Sequence, residues 1–296
     1  MILRLERVAK LFGGFAALRD ATAEFEAGKL YLITGENGAG KSTLLRMIAG
    51  LMAPSRGRIV WTPGAEAPDS FRNDIPRLKP GVYPKAEMNS EQEVSVGGGA
   101  HTTAGEGAGA TEGHGGAGAT EGHGGAAAAE VGGVERPSLG YMAHATMLYD
   151  ELSGMENLRY FAKLYEIGDG RCGEQEKSHG GGDEACVAAM GMVGLDAGLK
   201  RPVGQYSQGM RQRLALARAM VHSPSILLLD EPFSNLDVGS ARYMVEVLAG
   251  QRERGTCVLL VTHQASLVEE AADCHLHISG GVMREVKARS SSARPL

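Results

Sequence analysis

Residues 35–43 read GENGAGKST, and this stretch decides the fold. It matches the pattern G-x-x-x-x-G-K-[ST], in which a glycine-rich turn surrounds phosphate oxygens with backbone N–H groups. The pattern is meaningful only after a strand and before a helix. Here the apolar run LYLIT precedes it and the helical run KSTLLRMIAGL overlaps and follows it. The sequence therefore predicts a phosphate-binding loop between a buried strand and a helix.

The residue types in this loop suit a nucleotide. Glycines let the backbone curl around phosphate oxygens, and the start of the following helix adds the positive end of its dipole. Lys41 would bring a compact cation to the β- and γ-phosphates of ATP, and Ser42 would offer its hydroxyl to Mg²⁺. A glycine turn that merely caps a helix would not need this lysine. The predicted nucleotide-binding residues of the loop are Gly35, Asn37, Gly38, Ala39, Gly40, Lys41, Ser42 and Thr43.

A second signal is the run SILLLDEP at residues 225–232. It predicts a buried strand that delivers Asp230 and Glu231 at its carboxyl end, where ligands bind in parallel sheets. Asp230 suits Mg²⁺, and Glu231 suits a general base that polarises an attacking water. Such a base typically contributes about 10²–10⁴-fold in rate. A strand that ends in Asp-Glu is common on protein surfaces, so the functional interpretation depends on the phosphate-binding loop.

A third strand, CVLLVT, is followed by His263. A lone histidine is more often structural than catalytic. This one follows a strand of the same predicted sheet, so its side chain is expected at the edge where Asp230 and Glu231 lie. We expect His263 to contact the γ-phosphate.

The order of predicted elements indicates an α/β fold with a mainly parallel, doubly wound sheet, because strands and helices alternate. Residues 1–286 are expected to form one domain. A Gly-rich insertion at 64–136, which repeats AGATEGHGG, and a shorter one at 173–184 are predicted to be disordered. The tail at 287–296 is expected to be loose.

The net charge of −5 argues against a general nucleic-acid binder, which would usually be basic. No apolar run approaches the roughly 20 residues that a membrane helix needs, and the first residues lack the apolar core of a signal peptide. We therefore expect any membrane role to come through a partner.

Residues 206–210, YSQGM, lead into a helical stretch with three arginines and have no evident use in their own chain. With them, the sequence resembles the ATP-binding cassette (ABC) ATPases over nearly all of its length except the two insertions and the tail. The motifs follow one another in that family's order: Gly35–Thr43, His144, Tyr206–Met210, Asp230–Glu231, Ser234–Asp237 and His263.

The resemblance implies a P-loop NTPase fold: a RecA-like core, a β-rich N-terminal part and a helical subdomain near 145–215. It implies that two copies sandwich two MgATP, the signature turn of one copy closing over the nucleotide held by the other. Ser207 and Gly209 would bond the partner's γ-phosphate at a helix N-terminus. The same resemblance places Gln208 and Asp237 beside the nucleotide.

Three positions need comment against the family pattern. The usual signature is Leu-Ser-Gly-Gly-Gln, so Gln208 replaces a glycine that allows close backbone approach. His144 replaces the usual glutamine and is expected to sense Mg²⁺ or water with a different reach and pH response. Phe12 matches the aromatic residue that stacks on adenine; Phe15 is a rival for that role, and a core position is the alternative interpretation of Phe12.

Within the family, the sequence looks most like the ATPase subunit of the haem exporter of bacterial cytochrome c maturation. In that subfamily too a histidine stands at the position of His144, and the switch histidine is followed by glutamine. The resemblance implies a peripheral protein on the cytoplasmic face of the inner membrane, bound to integral-membrane permease subunits. Residues near Tyr149–Asn157 would face the permease, although some apolar side chains there are expected to be core.

Other classes remain open. A drug or lipid exporter would share most of these residues. A soluble ABC protein that acts on nucleic acid or ribosomes would typically carry two cassettes or a coiled-coil insertion, and an inactive regulatory subunit would not need the intact catalytic residues. Histidines in the Gly-rich stretches, together with His275 and His277, could bind a metal weakly, but such stretches are more often spacers.

Overall fold

The computed structural model describes residues 2–61, 139–165, 167 and 181–286. The strands and helices of these residues alternate as the sequence predicts. In chain order they are β1 (Leu3–Phe12), β2 (Phe15–Phe25), β3 (Leu30–Gly35), α1 (Lys41–Ile48), β4 (Arg56–Trp61), β5 (Leu139–Met142), α2 (Gly154–Leu164), α3 (Gly181–Met192), α4 (Gln208–Met220), β6 (Ile226–Asp230), α5 (Val238–Glu253), β7 (Cys257–Val261), β8 (Cys274–Ser279) and β9 (Val282–Val286).

A six-stranded sheet forms the centre, in the order β5-β6-β7-β3-β8-β9. All neighbouring pairs are parallel except β8 with β9. Every residue of β6 and of β7 is buried, which explains why both strands read as unbroken apolar runs rather than alternating ones. The expected α/β fold with a mainly parallel sheet is confirmed.

A separate antiparallel sheet, β2-β1-β4, makes up the β-rich N-terminal part. It packs with α1 and one face of the central sheet in a core that includes Leu3, Phe25, Leu44 and Leu228. The other face of the central sheet packs with α2 to α5 in a second core that includes Leu158, Leu214 and Leu260. The phosphate-binding loop leaves β3 at the carboxyl edge of the central sheet.

Helices α2, α3 and α4 pack on one another and form the helical part expected near 145–215. Helix α2 begins with a capping box, because the Ser153 side chain accepts from the Glu156 amide while Glu156 bonds back to Ser153. Helix α4 begins at Gln208 and continues to Met220, beyond the expected end of this part.

Two sequence expectations need correction. The short insertion at 173–184 was expected to be disordered to its end, but its last four residues open α3. Asp183 and Glu184 lie in the first turn, where negative charge is favourable, and Asp183 is paired with Arg159 at 2.7 Å. The sequence also predicts a helix at residues 264–272, after the strand CVLLVT, but these residues contain only a 3₁₀ turn, Ala265–Leu267.

The predicted disordered insertion at 64–136, the rest of the shorter one at 173–180 and the tail at 287–296 lie outside the described residues. Within the described ranges, no helix combines the length and hydropathy that a bilayer crossing requires.

Candidate active site

The ammonium group of Lys41 lies inside the loop that precedes it. Lys41 is only 7% exposed, and its Nζ donates to the carbonyl oxygens of Gly35 at 2.8 Å and Glu36 at 2.9 Å. A lysine has three N–H donors, so one remains for an anion within the loop. The loop thus presents a fixed positive charge at the N-terminus of α1.

Glycine is required at two points of the loop for different neighbours. Gly35 has φ +147°, and a Cβ there would overlap the Ile278 carbonyl oxygen. Gly40 has φ +104°, and a Cβ there would overlap the Ala17 carbonyl oxygen. Both backbones therefore approach the two sheets more closely than any other residue allows. A glycine-rich turn of this kind before a helix is the type of loop that can surround phosphate oxygens with backbone amides.

An oxygen pair lies beside the loop. The Ser42 hydroxyl on α1 donates to Oδ1 of Asp230 at 3.0 Å, and Asp230 is 3% exposed at the end of β6. A hydroxyl and a carboxylate next to a phosphate cradle are the ligands that Mg²⁺ prefers. The residues present therefore fit a magnesium ion that is held jointly with phosphate oxygens.

Glu231 follows Asp230 in an unusual backbone conformation, with φ +55°. Its Oε2 accepts from the backbone N–H of His263 at 3.1 Å, which fixes the carboxylate across the strand ends. Its buried Oε1 lies 3.3 Å from His263 Nε2 but is not aligned for a hydrogen bond. This oxygen therefore has no hydrogen-bond partner among the described residues. The His263 ring itself is more than half exposed.

A cavity of about 340 Å³ brings most of the predicted residues together. Its volume falls within the usual range for small-molecule sites. Two lining residues, Ser234 and Val261, were not among the predicted site residues. Ser234 begins the Ser234–Asp237 segment, which the sequence indicates only by its place in the motif order. Val261 is the last residue of the buried strand β7, and an apolar residue there carries no sequence signal for a binding site. The predicted residues that line the cavity are Asn37, Gly38, Ala39, Gly40, Lys41, Ser42, Thr43, His144, Asp230, Glu231 and His263.

Six predicted residues do not line this cavity, and one of them, Gly35, lies at the end of β3 where the loop begins. Phe12 is 47% exposed at the tip of the β1–β2 hairpin, where it pairs with the more exposed Phe15. The Lys10 ammonium lies 5.3 Å from the Phe12 ring centroid. The alternative that Phe12 is a core residue is wrong, since Phe12 and Phe15 are both largely exposed.

The other residues outside the cavity are Ser207, Gln208, Gly209 and Asp237, which lie at two helix starts. Ser207 caps α4 and accepts from the Met210 amide at 3.2 Å. Asp237 caps α5 and accepts from the Ser240 amide at 2.9 Å. The bonds to Ser240 hold the pKa of Asp237 below its usual value. Both side chains stabilise the helices that they cap. Any further role for them would need a group that this chain does not supply, such as a nucleotide bound to a second copy.

The fold and this cavity define a P-loop nucleotide-binding cassette. The ABC transporter family model matches residues 18–106 and 113–234, which is more than half of the chain. The chain therefore belongs to the ABC transporter family, and it is a nucleotide-binding subunit of the ATPase type.

Relatives with different transport roles resemble the chain to a similar degree. It is 28% identical to the ABC transporter ATP-binding protein NatA of Bacillus subtilis (strain 168), over 90% of this chain and 79% of NatA. It is also 28% identical to the cytochrome c biogenesis ATP-binding export protein CcmA of Saccharophagus degradans, over 83% of this chain and 79% of CcmA. Both relatives are thus ATP-binding proteins of ABC transporters or export systems.

Solved structures support the same fold. One is the dimeric, post-hydrolysis state of an ATP-binding cassette bound to ADP and phosphate, with a TM-score of 0.63 and 20% identity. The match covers 98% of this chain and 100% of that one.

Proposed function

We propose that this chain hydrolyses MgATP to power a membrane transporter. The observation that carries the proposal is one cavity that holds a buried lysine, a Ser42–Asp230 oxygen pair and an adjacent Glu231 carboxylate. These three groups serve phosphate binding, metal binding and water activation, and they come from β3–α1 and β6. A second class of function, as a scaffold without catalysis, would not need all three.

The loop residues and Lys41 would hold the phosphates, and Phe12 would stack on the adenine ring at the mouth of the site. Ser42 and Asp230 would hold Mg²⁺, which when bound offsets the negative charge that develops on the phosphates. The ammonium already faces the centre of the loop, so little rearrangement of Lys41 is needed on binding.

Glu231 would orient and polarise the attacking water through its unbonded Oε1. His263, which holds the other carboxylate oxygen through its backbone N–H, would place its exposed ring toward the γ-phosphate. His144 also lines the cavity and would bond the same water. Of these three residues, Glu231 is held in place by the His263 amide before substrate arrives.

Hydrolysis would require a second copy of the chain. Ser207, Gln208 and Gly209 at the start of α4 would close over the partner's nucleotide, and Asp237 would contribute from the start of α5. Two of the solved structures that the chain resembles are dimeric cassettes, which supports this arrangement. Gln208 is exposed in the first turn of α4, so its side chain would have room to turn away from the partner's nucleotide.

The permease would dock where large apolar side chains are exposed on α2 and on the loop between β5 and α2. Met147, Tyr149 and Tyr160 are each more than 40% exposed, and the rings of Tyr149 and Tyr160 meet edge to face with centroids 5.1 Å apart. Met155 and Leu158 of the same segment are core. Docking there would place the chain on the cytoplasmic face of the membrane as a peripheral subunit.

For the substrate, we propose haem export in cytochrome c maturation, supported by the similarity to CcmA and by the pair His263–Gln264 together with His144. Export of a drug or lipid is the alternative. A haem stain for covalent c-type cytochromes separates them: cells with only Glu231→Gln should lose the stained bands while total haem stays normal. Unchanged bands in cells whose mutant protein lacks ATPase activity would remove haem export and leave the cassette mechanism.

ATP hydrolysis itself is tested with purified protein in Mg²⁺ buffer. Glu231→Gln should lower kcat by about 10²–10⁴-fold, because the general base is lost. Nucleotide affinity should stay within about twofold, since Glu231 does not belong to the phosphate cradle. Glu24→Gln, an exposed change on β2, is the matched control. Wild-type turnover in Glu231→Gln would refute the proposed mechanism.

A further inference from the structure

A buried glutamine on α4 reaches the backbone of the candidate general base. Gln212 is 5% exposed, and its Nε2 donates to the carbonyl oxygen of Glu231 at 3.1 Å. A buried hydrogen bond of this kind stabilises the fold, and removing one of its two partners costs more than the bond contributes. The bond crosses from the helical part of the fold to the end of β6.

The Glu231 peptide needs such support, because its φ of +55° is unfavourable for a residue with a long side chain. Three elements hold it. The Glu231 amide donates to Val261 O on β7 at 2.9 Å, and its carbonyl accepts from the Ser234 amide at 3.2 Å as well as from Gln212. Of these contacts, only the one from Gln212 comes from α4.

The same helix carries the signature turn at its start. Ser207 caps α4, and Gln212 lies five residues further, about 7.5 Å along the axis at 1.5 Å per residue. A single rigid helix thus connects the turn that would meet the partner's nucleotide with the peptide that aims this chain's own carboxylate. A shift of α4 would therefore move Gln212 and, through its hydrogen bond, the backbone of Glu231.

We infer that Gln212 is a positioning residue for ATP hydrolysis. It holds the Glu231 peptide so that the carboxylate is aimed only when α4 is in place, and it thereby links signature engagement at one nucleotide to base alignment at the other. The inference rests on the proposed function. It assigns to Gln212 an effect on turnover in its own chain's site and none on nucleotide affinity.

The first test is Gln212→Met, which keeps the side-chain length and removes the donor. We expect kcat to fall about tenfold, while the KM for ATP and the affinity for an ATP analogue stay within twofold. Gln251→Met is the matched control. Gln251 is equally buried on α5, but its Nε2 donates to Met192 Sδ at 3.6 Å and not to Glu231. The control should keep its kcat within twofold.

The second test uses mixed dimers with two different tags, in which one copy carries Glu231→Gln so that only the other site turns over. Gln212→Met placed in the copy with the intact Glu231 should lower turnover. The same change placed in the copy with Glu231→Gln, whose signature turn serves the active site, should not. The opposite pattern would show that Gln212 acts through the signature turn and would overturn the inference.

Two further outcomes are decisive. A wild-type kcat in Gln212→Met, or a loss equal to that of Gln251→Met, would overturn the positioning role while the ATPase proposal stands. No hydrolysis by the wild-type chain, or full hydrolysis by Glu231→Gln, would overturn the proposed function and this inference together.

Discussion

At position 40, one hydrogen atom in place of a methyl group decides whether the phosphate loop can form. Gly40 combines a left-handed φ of +104° with close approach to the Ala17 carbonyl of β2. Gly38, in the same loop, has φ +79° but open space around its Cβ position. An alanine at position 38 would therefore meet only backbone strain, whereas an alanine at position 40 would meet backbone strain and a steric clash.

We predict that Gly40→Ala weakens ATP binding at least tenfold, because the loop must move away from β2 to admit the methyl group. Gly38→Ala should weaken it less, since only the conformational preference is violated, at a cost of about 1 kcal/mol. Titration with a fluorescent ATP analogue measures both, and melting temperatures show whether each variant is folded. Equal affinities in the two variants would contradict the steric argument.

At the scale of single elements, the buried side chain of Asn157 holds helix α2 to the segment that precedes it. Asn157 is fully buried; its Nδ2 donates to the carbonyls of Tyr149 and Ser153, both at 3.0 Å, and its Oδ1 accepts from the Tyr149 amide at 2.9 Å. These bonds fix the loop that presents Tyr149 to solvent.

Asn157→Leu should lower the free energy of unfolding by about 2–3 kcal/mol, because it removes the amide group that bonds the Tyr149 and Ser153 carbonyls and leaves the Tyr149 amide without its acceptor. Ser153→Ala, which removes the cap of the same helix, should cost only about 1 kcal/mol. Urea unfolding of both proteins compares them. A smaller loss for Asn157→Leu than for Ser153→Ala would show that the loop finds other partners.

At the end of α4, burial lowers the pKa of His222 to about 4. The ring stacks on Tyr165 with centroids 3.9 Å apart, its Nε2 bonds the Leu139 carbonyl at 3.2 Å, and its buried Nδ1 has no partner. In the unfolded chain the pKa is about 6.5, so the unfolded state binds the proton first as the pH falls. The stabilisation from neutral His222 is therefore present above about pH 6.5 and is lost toward pH 4.

The predicted loss from His222 at pH 5 is about 2 kcal/mol, at 1.36 kcal/mol per pH unit below 6.5. In His222→Gln the difference in unfolding free energy between pH 7.5 and pH 5 should shrink by about that amount. Urea titrations of both proteins at both pH values isolate the term, because the remaining groups titrate alike. The same pH difference in both proteins would place the acid sensitivity elsewhere.

The elements that could be predicted from the sequence are those with strong local signals. The strands LYLIT and ILLLD and the loop between β3 and α1 are confirmed, because continuous apolar runs and a fixed glycine pattern leave few alternatives. The prediction of disorder was wrong for residues 181–184, because Gly181 and Gly182 favour a loop in the sequence alone. The contacts that stabilise the start of α3, the Arg159–Asp183 ion pair and the burial of Cys186, form only in the folded chain. Gln212 carries no local signal, since only the folded chain brings it to Glu231.

For the whole molecule, the exposed aromatic pair Tyr149–Tyr160 is the basis of the transport prediction. Tyr149→Glu should lower transport at least tenfold, because a carboxylate replaces an aromatic surface that a permease would bury. ATP binding and basal hydrolysis should stay within twofold, since Tyr149 does not line the nucleotide cavity. Transport assays with the permease in vesicles, next to ATPase assays without it, measure both quantities.

Val282→Glu on β9 is the control for this prediction, because Val282 is also partly exposed but lies on the edge of the sheet. It should leave transport unchanged. Loss of ATP binding in Tyr149→Glu would contradict a docking role for this surface, and equal loss of transport in both variants would make the effect a general one of added charge.

The left-handed backbone at Glu231 has a consequence for the protein's history and for its engineering. Glycine or asparagine would sit there with less strain, by about 1 kcal/mol or more. A population selected only for heat resistance should therefore drift toward those residues and lose turnover, whereas selection for turnover retains glutamate against the local preference. Laboratory evolution of a hardier cassette would need an activity screen in every round, because at this position thermal survival and chemistry favour different amino acids.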